Sequence, residues 1–121
     1  MARILVIDDE PEMRTILRQI LEKAGYEVVD ASNGREGLRR YSEKPADLVI
    51  TDLVMPEKEG IETILDLKRK FSGVKIIAVS GGGQVGPRDY LKLAGELGAL
   101  KTFAKPFNMG ELLKAVQELL A

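Results

Sequence analysis

The sequence predicts an α/β fold built on a parallel sheet. Short β-branched apolar runs alternate five times with amphipathic helical patterns. The runs are continuously apolar, which suits strands covered by helices on both faces. With 121 residues, 45% of them hydrophobic and 31% charged, the chain has the size and composition of one globular domain.

The elements follow in order. Ile4, Leu5, Val6 and Ile7 form the first apolar run. Met13, Ile16, Leu17, Ile20, Leu21 and Ala24 then recur at helical spacing, with Pro11 at the start and Gly25 just past the end. Val28 and Val29 mark the second strand. Asn33 with Glu36 reads as a capping box opening the second helix. Leu48, Val49 and Ile50 make the third strand, and Ile61, Ile64, Leu65 and Phe71 line the third helix. Ile76, Ile77, Ala78 and Val79 make the fourth strand. Gly86 and Pro87 open a fourth helix with Tyr90, Leu91, Ala94 and Leu97 along one side. Leu100 to Ala104 is a weaker fifth strand, an edge candidate. Asn108 with Glu111 opens the last helix, which carries Leu112, Ala115, Val116 and Leu119. Crossovers between parallel strands are expected to be right-handed. No linker, internal repeat or low-complexity tract divides the chain, so residues 1–121 are expected to form a single stand-alone domain.

Composition excludes several chemistries. The chain has no Cys, hence no disulfide framework, thiolate nucleophile or thiolate zinc site. It has no His, hence no imidazole base, no Ser-His-Asp triad and no His-ligated metal. A net charge of −1 gives no global basic field for nucleic acid or anionic lipid. The first apolar run is far shorter than the about 20 residues needed to span a bilayer, so a cytoplasmic location without membrane attachment is expected.

In open parallel sheets, ligands bind beyond the carboxyl ends of the strands. Asp8, Asp9 and Glu10 follow the first strand, Asp52 the third, Ser80 the fourth, and Lys105 with Pro106 the fifth. These groups converge on one acidic pocket. A like-charge pair about 4 Å apart costs roughly 4 kcal/mol at an effective dielectric of 20. One lysine is too little compensation, so the pocket calls for a divalent cation. All-oxygen donors favour Mg²⁺ over softer metals. A carboxylate nucleophile, a Lewis acid, a hydroxyl and an ammonium together suit acceptance of a phosphoryl group.

Asp8, Asp9, Asp52, Ser80, Lys105 and Pro106, each at a strand end of a five-fold β-α chain, resemble the receiver domain of two-component response regulators over essentially the whole length. The resemblance implies a doubly wound, flavodoxin-like (βα)5 sheet of strand order 2-1-3-4-5. It implies that Asp52 is the phosphoacceptor, Asp9 a direct Mg²⁺ ligand, Asp8 its partner acting largely through water, and the carbonyl of Val54 a backbone ligand. Ser80 corresponds to the switch hydroxyl and Lys105 to the phosphate-pairing lysine. The implied donor is a phosphohistidine on a sensor histidine kinase or histidine phosphotransfer protein. The implied output is a change in protein–protein interaction by a monomer or weak homodimer that is not itself an enzyme.

Two features depart from the family pattern. The position three residues before the lysine, usually Tyr or Phe, is Thr102; Phe103 lies one later and should face the other side of the sheet. The stretch from Ser80 to Lys105 is longer than usual, and its glycines (Gly81, Gly82, Gly83 and Gly86) suggest a loop that orders on activation. The resemblance further implies that Val54 and Gly82 stand where the family tunes hydrolysis of its aspartyl phosphate; neither offers a polar side chain to orient a water, so slow self-dephosphorylation is expected. The alternative reading is a receiver-like interaction module that takes no phosphate. Two others fit less well. An aspartyl phosphatase of the haloacid dehalogenase type needs an acid where Val54 stands. A flavodoxin-like nucleotide binder would meet repulsion from Asp8 and Asp9.

Overall fold

The computed structural model describes residues 1–53, 59–80 and 87–121. Five strands and five helices alternate: β1 (Arg3–Ile7), α1 (Pro11–Lys23), β2 (Glu27–Ala31), α2 (Gly34–Glu43), β3 (Leu48–Asp52), α3 (Glu59–Lys70), β4 (Ile76–Ser80), α4 (Pro87–Leu97), β5 (Lys101–Ala104) and α5 (Met109–Leu120). All pairings are parallel and the sheet order is β2-β1-β3-β4-β5. The doubly wound architecture is therefore as expected.

The apolar runs are buried on both faces because successive side chains point to opposite sides of the sheet. Leu5, Ile7, Val49, Ile76 and Ala78 pack with Tyr41, Ile61, Ile64, Leu67 and Ala94 from α2, α3 and α4. Ile4, Val6, Val28, Leu48, Ile50, Ile77 and Val79 pack with Leu17, Leu21, Leu112, Ala115 and Val116 from α1 and α5. Removing such a side chain from water stabilises the fold by about 1.5–3 kcal/mol.

Helix ends follow their sequence signals. Pro11 opens α1, and Gly25 takes a left-handed φ of 98° beyond its last turn. The Asn33 side chain accepts from the Glu36 amide at 2.8 Å, and Asn108 from the Glu111 amide at 3.1 Å. The Glu36 carboxylate turns outward to Arg40. Lys68, in the basic last turn of α3, donates to the Val74 carbonyl at 3.0 Å and satisfies a backbone acceptor just past the helix. The apolar stripes are narrower than their periodicity suggests: Leu17 and Leu21 are central to α1, whereas Ile16 lies at the rim, 42% exposed. On α3, Leu65 is likewise at the rim and Leu67 and Thr63 are buried instead. Leu100 precedes β5 and is half exposed. Among the described residues, no helix is long and apolar enough to cross a membrane.

Candidate functional site

The C-terminal ends of β1, β3 and β4 and the residue following β5 assemble one pocket. Asp8 follows β1 and is buried. Its amide donates to the Ala31 carbonyl at 3.1 Å, which ties the loop after β1 to the end of β2. Its Oδ1 accepts from the Glu10 amide at 2.9 Å. Asp9 and Glu10 beside it are exposed. Asp52 closes β3 and is also buried, and the Leu53 amide donates to Val79 to hold the chain beyond it. Ser80 closes β4 in full burial, and its hydroxyl has no hydrogen-bond partner among the described residues.

Lys105 joins these elements. Its Nζ donates to Asp52 Oδ2 at 3.1 Å, Asp8 Oδ2 at 3.3 Å and Glu10 Oε1 at 3.4 Å. Its backbone amide donates to the Ser80 carbonyl at 2.7 Å. The Lys105–Pro106 peptide is cis. The nucleophile, hydroxyl and lysine expected from sequence thus come together.

Among the described residues, carboxylates outnumber the lysine in the pocket, and burial adds to the cost of their charge. Desolvation is the main cause that raises the Asp8 carboxyl, to a pKa of about 6. The Glu10 amide pulls it down, the Asp52 charge pushes it up and Lys105 pulls it down again. Burial draws the Lys105 ammonium downward, but the combined attraction of Asp52, Asp8 and Glu10 wins and leaves it above its ordinary range. Asp8, Asp9, Glu10 and Asp52 each bring a carboxylate oxygen within 4.8 Å of the others. Among the described residues, three of these four acids share the Lys105 ammonium, and the all-oxygen donor set fits a hard divalent cation. Val54, expected to add a carbonyl, lies outside the described residues, as do Gly81, Gly82, Gly83 and Gly86 and the expectations attached to them.

Two participants, Arg14 and Gly60, escaped sequence reasoning, and a third, Glu10, is placed by the sequence in the acidic pocket but without its bond to Lys105. Glu10 is the N-cap of α1, but its side chain makes no capping bond and turns to Lys105. Glutamate is a poor N-cap, and that mismatch ahead of Pro11 was the available signal. Arg14, one turn on, donates from Nη1 to the Asp8 carbonyl at 2.7 Å. Gly60 lets α3 reach the pocket: a Cβ there would sit 2.5 Å from the Asp52 carbonyl oxygen and 2.5 Å from Leu53 Cα. Thr102 is exposed on β5 opposite Ala78, while Phe103 pairs with Val79 and packs on the α1/α5 face beside Phe107. Phe103 therefore does not take the position that Thr102 leaves without an aromatic ring.

The sequence profile of the response regulator receiver domain matches residues 4–117. A chemotaxis protein CheY of Thermotoga maritima is 37% identical over 96% of this chain and 95% of its own length. Sporulation initiation phosphotransferase F of Bacillus subtilis is 33% identical over 98% of this chain and 93% of its own length. Among solved structures, a receiver domain protein of Clostridium thermocellum superposes with a TM-score of 0.89 at 34% identity, covering 98% of this chain and 94% of that one. The response regulator TrrA of Thermotoga maritima, solved with Mg²⁺ and BeF, superposes at 0.85 with 35% identity, covering 98% and 99%. Receiver domains are the phosphoryl-accepting signalling modules of two-component systems, and this chain belongs to their family.

Proposed function

We propose that this chain is a phosphorylation-controlled switch that accepts a phosphoryl group on Asp52 from a phosphohistidine partner. The observation that carries the reading is the Lys105 ammonium lying between the buried carboxylates of Asp52 and Asp8, at 3.1 and 3.3 Å, with the Ser80 hydroxyl buried at the neighbouring strand end and without a partner among the described residues. Asp52 Oδ attacks phosphorus in line, an O–P bond forms and the P–N bond to the donor imidazole breaks, the electron pair leaving on nitrogen. The donor residue comes from a sensor histidine kinase or a histidine phosphotransfer protein, since this chain has no His.

Asp8, Asp9 and Asp52, with the carbonyl of Val54, would hold Mg²⁺. When bound, the ion supplies positive charge against the carboxylates and the equatorial phosphoryl oxygens. Lys105 shifts from carboxylate to phosphoryl oxygen, and Ser80 donates its hydroxyl to another. The buried hydroxyl supports that role, because it has no partner among the described residues and a new acceptor would satisfy it. Partner proteins then read the changed packing around Ser80 and Lys105. Relatives carry names from chemotaxis and from sporulation phosphotransfer, which fits a phosphoryl-accepting signalling role.

Intact mass spectrometry after incubation with Mg²⁺ and a small phosphodonor tests this reading. The wild type gains one phosphoryl group and Asp52→Asn gains none. Equal masses for both would leave the non-phosphorylated interaction module as the better account, a reading to which exposed Thr102 lends some support.

A further inference from the structure

We infer that Arg14 is a positioning residue for the acidic loop. It pins the peptide carbonyl between Asp8 and Asp9 and so sets the carboxylates from which the metal site would be built. The inference rests on the reading that this pocket holds Mg²⁺.

The geometry is that of a clamp. Arg14 Nη1 donates to the Asp8 carbonyl at 2.7 Å, a short, charge-assisted bond. Its Nε lies 3.8 Å from Asp30 Oδ2 on β2, and Asp30 Oδ1 lies 3.7 Å from Arg18 Nη1. Asp30 pairs in register with Val6, two residues before Asp8. The guanidinium is therefore stretched between the second strand and the loop, with only 20% of its side chain exposed. Asp8 is then held at four points: its amide by Ala31, its carbonyl by Arg14, its Oδ1 by the Glu10 amide and its Oδ2 by Lys105. A bond to the carbonyl fixes the plane of the peptide that launches Asp9, which has no such restraint from burial.

Charge and geometry make opposite predictions. A cation beside the pocket repels Mg²⁺, so on charge alone its removal tightens metal binding. As a clamp, its removal weakens binding, because outer partners that orient ligands are worth about 10–100-fold in affinity. The experiment uses the full chain with Arg14→Gln, Arg14→Lys and Asp30→Asn. It reads Mg²⁺ affinity by titration and, without metal, hydrogen exchange at the amides of Asp8, Asp9 and Glu10. Arg14→Gln should bind Mg²⁺ about tenfold more weakly. Its loop amides should exchange faster while those of β4 keep their protection. Arg14→Lys should recover part of both, since an ammonium can donate to the same carbonyl. Asp30→Asn should show a smaller loss of the same sign. Unchanged or tighter Mg²⁺ binding by Arg14→Gln overturns the proposal, as does loop exchange equal to wild type. A wild type that binds no Mg²⁺ overturns the metal reading beneath it, and that failure is distinct because the exchange result stands apart from it.

Discussion

The ends of β1 and β3 and the edge strand β5 are built to different rules. At the first, buried carboxylates meet a shared ammonium, and the approach of α3 to the Asp52–Leu53 backbone leaves no room for a methyl group at Gly60. At the second, Lys101, Thr102 and Ala104 are exposed and only Phe103 is half-buried. The chemistry of the site therefore sits where substitution is felt, and the neighbouring surface sits where substitution is tolerated. A receiver can in this way keep its phosphoryl-accepting pocket while its outer edge varies.

Four substitutions probe that contrast, taken from the largest expected effect downward. Lys105→Met leaves two buried carboxylates without their shared cation. It should cost about 3 kcal/mol at pH 7. The loss should shrink at pH 5, where Asp8 binds a proton, and urea unfolding at both values checks it. An equal loss at both would assign the cost to packing. Gly60→Ala places a Cβ against the Asp52 carbonyl and should destabilise by about 2 kcal/mol, read as a lower urea midpoint. A midpoint within error of wild type would mean that α3 shifts freely.

Asp8→Asn should act in the opposite direction. The carboxyl has a pKa of about 6 in the fold against an ordinary 3.8. Between those values the folded state holds a proton that the unfolded state has released, so stability falls as pH rises through the window. The penalty is complete above about 6 and absent below 3.8. Without divalent metal, Asp8→Asn should therefore melt about 3 °C higher than wild type at pH 7. The gain should fade toward pH 4, and added Mg²⁺ should raise the melting temperature of the wild type alone. A lower melting temperature for the variant at pH 7 would refute the repulsion. The smallest effect belongs to Thr102→Tyr. On an exposed strand position it should change stability by less than about 0.5 kcal/mol, measured by the same unfolding curve. A larger change would mean that the two regions are coupled before any phosphate arrives.

The fold was legible because its signals are local and repeated. Continuous runs such as Ile76, Ile77, Ala78 and Val79 can only be satisfied between two helical layers, and Asn33 and Asn108 announce their helices through their own side chains. Asp8, Asp52, Ser80 and Lys105 were legible because each stands at the carboxyl end of a strand-like run, and parallel strands deliver their ends to one place. What escaped depends on approach across space. Nothing in the one-dimensional pattern says that α3 rests on the Asp52 carbonyl and so requires Gly60. Nor does it say that Arg14 bends back to the Asp8 carbonyl while Asp30 arrives from β2. Its place after the first strand puts Glu10 in the acidic pocket, but only the folded position of Lys105 makes it a third partner of the ammonium. Helical periodicity also overstates burial at its margins, as Ile16 and Leu65 demonstrate.

The hydrogen bond from the Lys105 amide to the Ser80 carbonyl ties two strand ends through main-chain atoms alone. The spacing between these two positions is consequently written in backbone and survives exchange of either side chain. A combinatorial library at 80 and 105 would sample new anion-recognising chemistry at constant separation, which makes this pair a natural starting point for retargeting the pocket to other oxyanions.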